Sequence, residues 1–279
     1  MASAPGTCLL VAGKLVVDEV LVCDHPPVPG SSQRARERRV TGGGQVWHTS
    51  RAAARTGVPV AVTGWCGRDD DSSRLRAELV LAGILDRLAL HDPPSRSTVL
   101  VHGDDRIIVS HGSRGYVDPQ AVGPAALDGA GRLHIDGYAL DPVAGDALVD
   151  LAVMARDRGI PISIEPPSPA KLAESAAWVA ALPPLDAVLG RPDEIASTLE
   201  ILAVSPRVLV SHDQQRPIVT RSASDEITIP VPATGIAPLG AGDRFAGGWL
   251  AARLRGASLE GAVEAGIAAA FRAETTPPH

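Results

Sequence analysis

The chain has 279 residues, of which 45% are hydrophobic and 21% are charged, and its formal net charge is −6. This is the composition of a globular protein that is long enough to bury a sizeable core. The negative charge, and the lack of a basic block on an aromatic-rich surface, exclude nucleic acid as the expected partner.

The cysteines and the first apolar segment indicate a reducing compartment. The three cysteines are odd in number and show no C-x-x-C spacing, so we expect neither disulfides nor a zinc site. Residues 8–22 are apolar but interrupted by Lys14 and Asp18, and no charged segment precedes them. We interpret them as a buried strand rather than a signal peptide or membrane span, and expect a cytoplasmic protein without a membrane partner.

The N-terminal segment places a carboxylate after a strand. Residues 7–12 are apolar and end at Gly13, which is typical of a central strand in a parallel sheet. Asp18 follows shortly afterwards, in the region where open α/β sheets bind ligands. Its carboxylate could accept hydrogen bonds from two vicinal sugar hydroxyls; a solvated turn residue is the alternative.

Two segments predict strands of a small second sheet. In the segment at about 19–40, a Pro-Gly turn at 26–30 is followed by a basic run at 34–39. In the segment at 97–111, two β-rich runs flank a hairpin signal at 102–105.

Elsewhere strands and helices alternate. Strands are predicted at 58–63, 132–136, 160–164, 187–189, 208–211, 218–220 and 227–231, and helices at 49–55, 75–82, 143–158, 171–182, 193–202 and 246–254. This order predicts an α/β fold with a doubly wound, mostly parallel central sheet and helices on both faces. Turn residues are spread evenly, so we expect residues 1–279 to form one domain that carries the small sheet.

Gly240-Ala241-Gly242-Asp243 combines a tight turn with a helix start. The glycines let the backbone approach a ligand, and the first amides of the helix favour an anion such as a phosphate. A carboxylate in the mouth of an anion site could act as a general base towards an attacking hydroxyl. The alternative is that Asp243 only caps the helix.

These motifs together resemble the ribokinase-like (PfkB) family of carbohydrate kinases. Gly240 to Phe245 is similar to the family's G-A-G-D-x-F signature, and the glycines before His48 are similar to G-G-x-x-x-N, with histidine replacing the asparagine. Residues 64–69 match G-x-x-G-x-D, and residues 191–194 match N-x-x-E except that arginine replaces the asparagine.

The resemblance implies an ATP-dependent sugar kinase that uses Mg²⁺, in which the small sheet covers the sugar as a lid. A homodimer through the lid is possible in such a protein. The implied roles are as follows: Asp243 is the catalytic base; Gly240, Ala241 and Gly242 form the anion hole; Asp18, Gly43, Gly44 and His48 bind the sugar; Ser211 and Asp213 lie near the nucleotide; and Glu194 positions the metal.

The departures from the family pattern concern the nucleotide. Residues 211–216 lack the usual glycines, and Ala237-Pro238 stands where many relatives have Asp-Thr. We therefore expect weak ATP affinity with poor discrimination from GTP. A sugar-binding sensor or scaffold that has lost phosphoryl transfer, and a nucleoside kinase, remain alternatives. His102, His111, His134 and His212 lack paired spacing and are interpreted as ordinary surface or core histidines.

Overall fold

Two sheets organise the chain in the computed structural model, which describes residues 6–103, 105–112, 122–213, 216–231 and 239–271. Within these residues, nine strands form the central sheet and four form the small sheet. The strands are β1 (Cys8–Lys14), β2 (Val16–Val22), β3 (Glu37–Gly43), β4 (Val60–Cys66), β5 (Leu85–Leu90), β6 (Arg96–His102), β7 (Asp105–His111), β8 (Ala130–Asp136), β9 (Ile162–Glu165), β10 (Ala187–Gly190), β11 (Val208–Asp213), β12 (Arg216–Ser222) and β13 (Glu226–Ile229).

The helices follow the strands in alternation. They are α1 (Gly44–Ala54), α2 (Asp70–Leu81), α3 (Gly145–Asp157), α4 (Pro169–Ala181), α5 (Pro192–Leu199), α6 (Ala241–Leu254) and α7 (Leu259–Phe271). No helix in the described part of the chain combines the length and apolar character that a membrane crossing requires.

The central sheet has the order β13-β12-β11-β10-β9-β8-β1-β4-β5. All neighbours from β11 to β5 run parallel, and only β12 and β13 are antiparallel additions. Alternate residues of β1 belong to different cores: Leu9 packs with α1, α2, α6 and α7, whereas Leu10 packs with α3 and α4. The predicted doubly wound α/β fold with a small second sheet is therefore confirmed.

The small sheet has the order β3-β2-β6-β7, with β2 and β6 parallel and the two outer pairs antiparallel. Its strands lie at 16–22, 37–43, 96–102 and 105–111, so residues 23–36 of the first predicted segment form the connection. Asp104 lies outside the described residues.

The structure corrects several predicted elements. Residues 8–22 form two strands, because the chain leaves the central sheet after Lys14 and enters the small sheet at Val16. Asp18 therefore lies within β2 and is buried, not in a turn after the first strand. Two elements were not predicted from the sequence: β5, a half-exposed edge strand, and α7.

Helix α6 lies between α1 and α7, and glycines allow this close packing. A Cβ built on Gly248 would lie 2.5 Å from the backbone oxygen of Ala265 in α7. On the opposite side, a Cβ on Gly247 would collide with the backbone oxygen of Thr49 in α1. The position of α6 is therefore set by backbone contact with both neighbours.

Gly248→Ala should destabilise the protein, because the added methyl group forces α6 and α7 apart. Overpacking of this kind costs about 1–3 kcal/mol of unfolding free energy. Gly261→Ala in α7 is the matched control: its Cβ would make only ordinary contacts, with Ser258 Oγ at 3.4 Å and Ala257 Cβ at 4.0 Å. Removing that helical glycine should stabilise the protein by roughly 0.5–1 kcal/mol. Urea unfolding measures both changes, and equal midpoints for the two variants would contradict the packing described.

Candidate active site

The N-terminus of α6 has the features of an anion-binding site. Gly240 precedes the helix with φ 74°, a left-handed conformation that favours glycine. The amides of Ala241, Gly242 and Asp243 lie in the first turn, where a helix provides no acceptor for them. Arg244 Nη1 donates to the backbone oxygen of Leu239 at 3.2 Å and holds the turn in place.

Asp243 occupies the third position of α6 without capping it. Among the described residues, no side chain makes a capping hydrogen bond at this N-terminus. By contrast, Glu194 does cap α5, where its Oε2 accepts from the Arg191 amide at 2.9 Å. The Asp243 carboxylate makes no such bond within the described residues, and Asp243 lines the cavity described next.

A large cavity of about 940 Å³ lies between the small sheet and the carboxyl ends of β1 and β8. Asp243 and Gly240 line it from α6, and Asp18 lines it from β2. Gly44 and His48 contribute from α1. Five of the residues predicted from the sequence are thus brought to one cavity by three separate segments of the chain.

Glycines bring the polar side chains of the large cavity together. A Cβ on Gly240 would lie 2.6 Å from Cδ2 of His48, so the imidazole packs directly on the turn. Thr49 Oγ1 donates to the backbone oxygen of Asp243 at 3.1 Å and ties α1 to α6. Gly43 itself does not line the cavity; the Asp18 carboxylate occupies the space that a side chain there would fill.

Burial raises the pKa values of three carboxyl groups that line the large cavity. Burial raises the pKa of Asp18 to about 6; His48 opposes this shift and Asp243 adds to it. Burial raises the pKa of Asp136, at the end of β8, to about 7. Burial also raises the pKa of Asp243, although His48 and Arg244 counteract it. A base whose pKa lies closer to neutrality is better matched to general-base catalysis.

An apolar cleft lies on the other side of the α6 turn. Ala241 and Gly242 line it, together with Asp213, His212 and Phe245. The remaining lining is apolar and comprises Ile218, Val231, Ile267, Ala270 and Phe271. The α6 turn thus separates a polar cavity from an apolar cleft.

The two residues predicted to lie near a nucleotide differ in position. Asp213 lines the apolar cleft, whereas Ser211 pairs with Gly190 inside the central sheet and is not part of the cleft lining. The cleft also contains His212, which the sequence indicated to be an ordinary histidine; its ring lies 5.1 Å from that of Phe245. Residues 214, 215, 237 and 238 lie outside the described residues.

Glu165 and Asp136 are site residues that the sequence analysis missed. Glu165 is buried, and among the described residues its Oε2 has no hydrogen-bond partner. Burial raises its pKa well above the usual range, and the charges of Asp243, Glu194 and Asp136 add to the shift. The available signal was positional: both residues end strands of the parallel sheet, at the edge where such sheets bind ligands.

The acidic residues fit a hydrated Mg²⁺ better than a directly ligated one. Within the described residues, no group of three His, Cys, Asp or Glu side chains has the arrangement of a metal site. Both oxygens of Glu194 already contact Arg191, at 2.9 and 3.2 Å. Mg²⁺ commonly keeps several waters and binds through substrate phosphates, so the free Oε2 of Glu165 and the carboxylate of Glu194 suit contacts through water.

Comparisons with known proteins agree with this geometry. A model of the pfkB family of carbohydrate kinases matches residues 8–274. The ATP-dependent ribose-1-phosphate kinase of Halopiger xanaduensis is 25% identical over 268 residues, which cover 92% of this chain and 88% of the relative.

Solved structures share the fold. Adenosine kinase from Sinorhizobium meliloti gives a TM-score of 0.83 at 19% identity and covers 96% of this chain and 93% of its own. Adenosine kinase from Schistosoma mansoni in complex with 2-fluoroadenosine gives 0.81 at 14% identity and covers 99% of both chains.

The family match confirms the predicted class of protein, a phosphotransferase with an alcohol group as acceptor. The chain belongs to the pfkB family of carbohydrate kinases, because the family model spans nearly its whole length. It is an ATP-dependent kinase whose acceptor is a hydroxyl of a small sugar or sugar-like compound.

The buried carboxylates make stability depend on pH. Asp136 has a pKa of about 7 in the folded protein and an ordinary value of 3.8, so between these values the folded state binds more protons than the unfolded state. Stability therefore falls as pH rises through this window, by up to about 1.4 kcal/mol per pH unit from this group.

Asp136→Asn should flatten this dependence. From pH 5 to pH 8 the unfolding free energy of both proteins should fall. The fall should be smaller in the variant, by on the order of 2 kcal/mol. Chemical denaturation at several pH values measures the slopes, with Asp225→Asn, which removes an exposed carboxylate, as the control. Parallel slopes for all three proteins would show that Asp136 is ionised throughout.

Proposed function

We propose that Asp243 is the catalytic base of the kinase. Its carboxylate lines the large cavity, has no capping role, and lies in the first turn of a helix whose free amides favour a phosphoryl group. The base takes the proton of an acceptor hydroxyl as that oxygen attacks the phosphoryl group. One observation supports this proposal most strongly: a single short turn borders both spaces. Gly240 and Asp243 line the large cavity, and Ala241 and Gly242 line the apolar cleft.

The large cavity would hold the acceptor. Asp18 and His48 face it from two elements, and their hydrogen-bonding groups suit vicinal hydroxyls. Gly44 has a positive φ and packs against Val16 and the Lys14 backbone, and Gly43 leaves the space that the Asp18 carboxylate occupies. The cavity that these residues share with Asp243 supports sugar-binding roles for them.

The apolar cleft would hold the base of ATP, with its phosphates directed to the amides of Gly240, Ala241 and Gly242. Mg²⁺, when bound, would neutralise charge on the phosphates. Glu165 and Glu194 would orient its water ligands, whereas Asp213 would lie close to the nucleotide at the cleft edge. Ser211 can act only indirectly, through the position of β11.

The small sheet would act as a lid and as a dimer surface. Its edge strand β7 exposes Ile107 and Val109, which are 47% and 55% accessible. Exposed apolar residues on an edge strand favour pairing with a second copy.

We place the reaction in the cytoplasm, where the free thiols of Cys8, Cys23 and Cys66 are stable.

Asp243→Asn tests the catalytic proposal. The amide keeps the shape of the side chain but cannot take the proton, so kcat should fall by about 10²–10⁴-fold. The substrate affinities should change much less. Coupled ADP release and isothermal titration calorimetry measure the two effects.

Asp193→Asn is the matched control, because Asp193 is an exposed acid in the first turn of α5. It should leave kcat unchanged. Near-normal turnover by the Asp243 variant would remove Asp243 from the mechanism. Binding of sugar without any ATP binding would instead favour the sensor alternative.

Asp213→Gly tests the nucleotide assignment. The Asp213 carboxylate lines the apolar cleft and would repel the phosphates, so its removal should tighten both ATP and GTP binding by roughly 3–10-fold. Titration of each nucleotide into both proteins measures this. Tight, ATP-selective binding by the unmodified protein would show that the base occupies another place.

A further inference from the structure

The large cavity contains a second polar cluster that the proposed mechanism does not use. Lys14, at the end of β1, directs its ammonium at Asp141, with Nζ 3.3 Å from Oδ2. Both side chains line the cavity, together with Asp136. We call Lys14, Asp136 and Asp141 the lysine cluster.

Backbone hydrogen bonds hold the Asp141 carboxylate in place independently of Lys14. Its Oδ1 accepts from the amides of Val143 and Ala144, at 2.9 and 3.3 Å, and thereby starts the α3 region. Only 8% of its side chain is exposed. The carboxylate therefore holds the Lys14 ammonium at a defined place in the cavity wall.

Asp136 is the second carboxylate that interacts with the charge of Lys14. The carboxylate is buried, its Oδ1 accepts from the Tyr138 amide at 2.9 Å, and Gly13 leaves the space that it occupies. The positive charge of Lys14 counteracts the burial that raises the pKa of Asp136, so the two groups are electrostatically coupled.

Lys14 keeps donor capacity for a ligand. An ammonium has three hydrogens to donate. Asp141 accepts one of them, and the described residues supply no second acceptor. The Lys14 side chain is only 18% exposed, and its ammonium keeps spare donors at the cavity, so it is suited to bind a ligand oxygen.

Arg96 and Lys171, which also line the large cavity, form ion pairs with acids outside the lysine cluster. Arg96 Nη2 contacts Asp69 at 2.8 Å and Asp71 at 3.1 Å. Lys171 Nζ contacts Glu174 at 2.6 Å, and 31% of the lysine side chain is exposed. Lys14 is the less exposed of the two lysines and the one in contact with buried carboxylates.

The charge of the cavity decides which oxygen Lys14 can bind. Asp18, Asp136, Asp141 and Asp243 all line the same cavity, and Asp141 already neutralises the ammonium. A phosphate brought to Lys14 would face these carboxylates in a medium that screens charge poorly. A hydroxyl or ring oxygen meets no such repulsion.

We propose that Lys14 is a specificity-determining residue of the kinase, which donates to an uncharged oxygen of the acceptor and so selects neutral acceptors over phosphorylated ones. This inference rests on the proposed function of the large cavity. The lysine cluster and the Asp243 side of the cavity then hold two different parts of the same acceptor.

The first test compares acceptors. Ribose, adenosine and ribose 1-phosphate are assayed by ADP release, and their affinities are measured by calorimetry. The unmodified protein should prefer an uncharged acceptor. For that acceptor, Lys14→Met should raise KM by about 10- to 100-fold, whereas kcat and the KM for ATP change less than about 3-fold. Lys14→Arg should recover part of the loss.

Matched variants separate binding from folding. Lys171→Met removes the other lysine of the chain, which is held by Glu174 at the exposed rim, and should shift the acceptor KM less than about 3-fold. Asp141→Asn leaves the ammonium without its counter-charge, so it should improve ribose 1-phosphate relative to the neutral acceptor. Thermal unfolding of each variant identifies losses that come from folding alone.

Three results would overturn the inference. One is an unchanged acceptor KM in folded Lys14→Met. The second is a loss confined to ribose 1-phosphate, which would make Lys14 a phosphate ligand. The third is a protein that binds no uncharged acceptor at all. Acceptor binding that depends on Lys14 without any turnover would instead uphold the inference and refute the proposed catalytic function.

Discussion

Close backbone packing of α6 against α1 is the constraint on which the site depends. Gly247 permits the contact along the helices, and Gly240 permits the His48 ring to lie on the turn that starts α6. Because Thr49 then bonds the backbone of Asp243, the same two helices place the anion site and the carboxylate together. A side chain at either glycine would separate the acceptor residues from the helix terminus.

The second feature is the concentration of buried acids around that terminus. Asp18, Asp136, Glu165 and Asp243 all have raised pKa values, chiefly because burial disfavours their charge. Such a cluster lowers the stability of the empty protein at neutral pH. Under the proposed function, substrate hydroxyls, the helix N-terminus and a hydrated cation would each relieve part of this cost, so binding and stability would be linked through the same groups.

Local signals predicted most of the fold and half of the site. The Gly-Ala-Gly-Asp turn, the glycines before His48 and the alternation of strands and helices are all short-range patterns. Glu165 was not predicted as a site residue, because a single acid at a strand end has no local sequence signature. The acids near it come from other elements, β8, α5 and α6. Asp18 was predicted to follow the first strand, because sequence alone could not show that the chain enters a second strand, β2, in the small sheet. The Lys14–Asp141 pair joins residues 127 apart, which no spacing rule connects.

We propose that the α6 turn separates the acceptor from the nucleotide. A crystal structure with ADP, aluminium fluoride, Mg²⁺ and the preferred acceptor would test this arrangement. We expect the fluoride group within about 3 Å of the amides of residues 240–242, the acceptor hydroxyl at a similar distance from Asp243, and adenine in the apolar cleft. Both ligands in the large cavity, or a fluoride group remote from the turn, would contradict it.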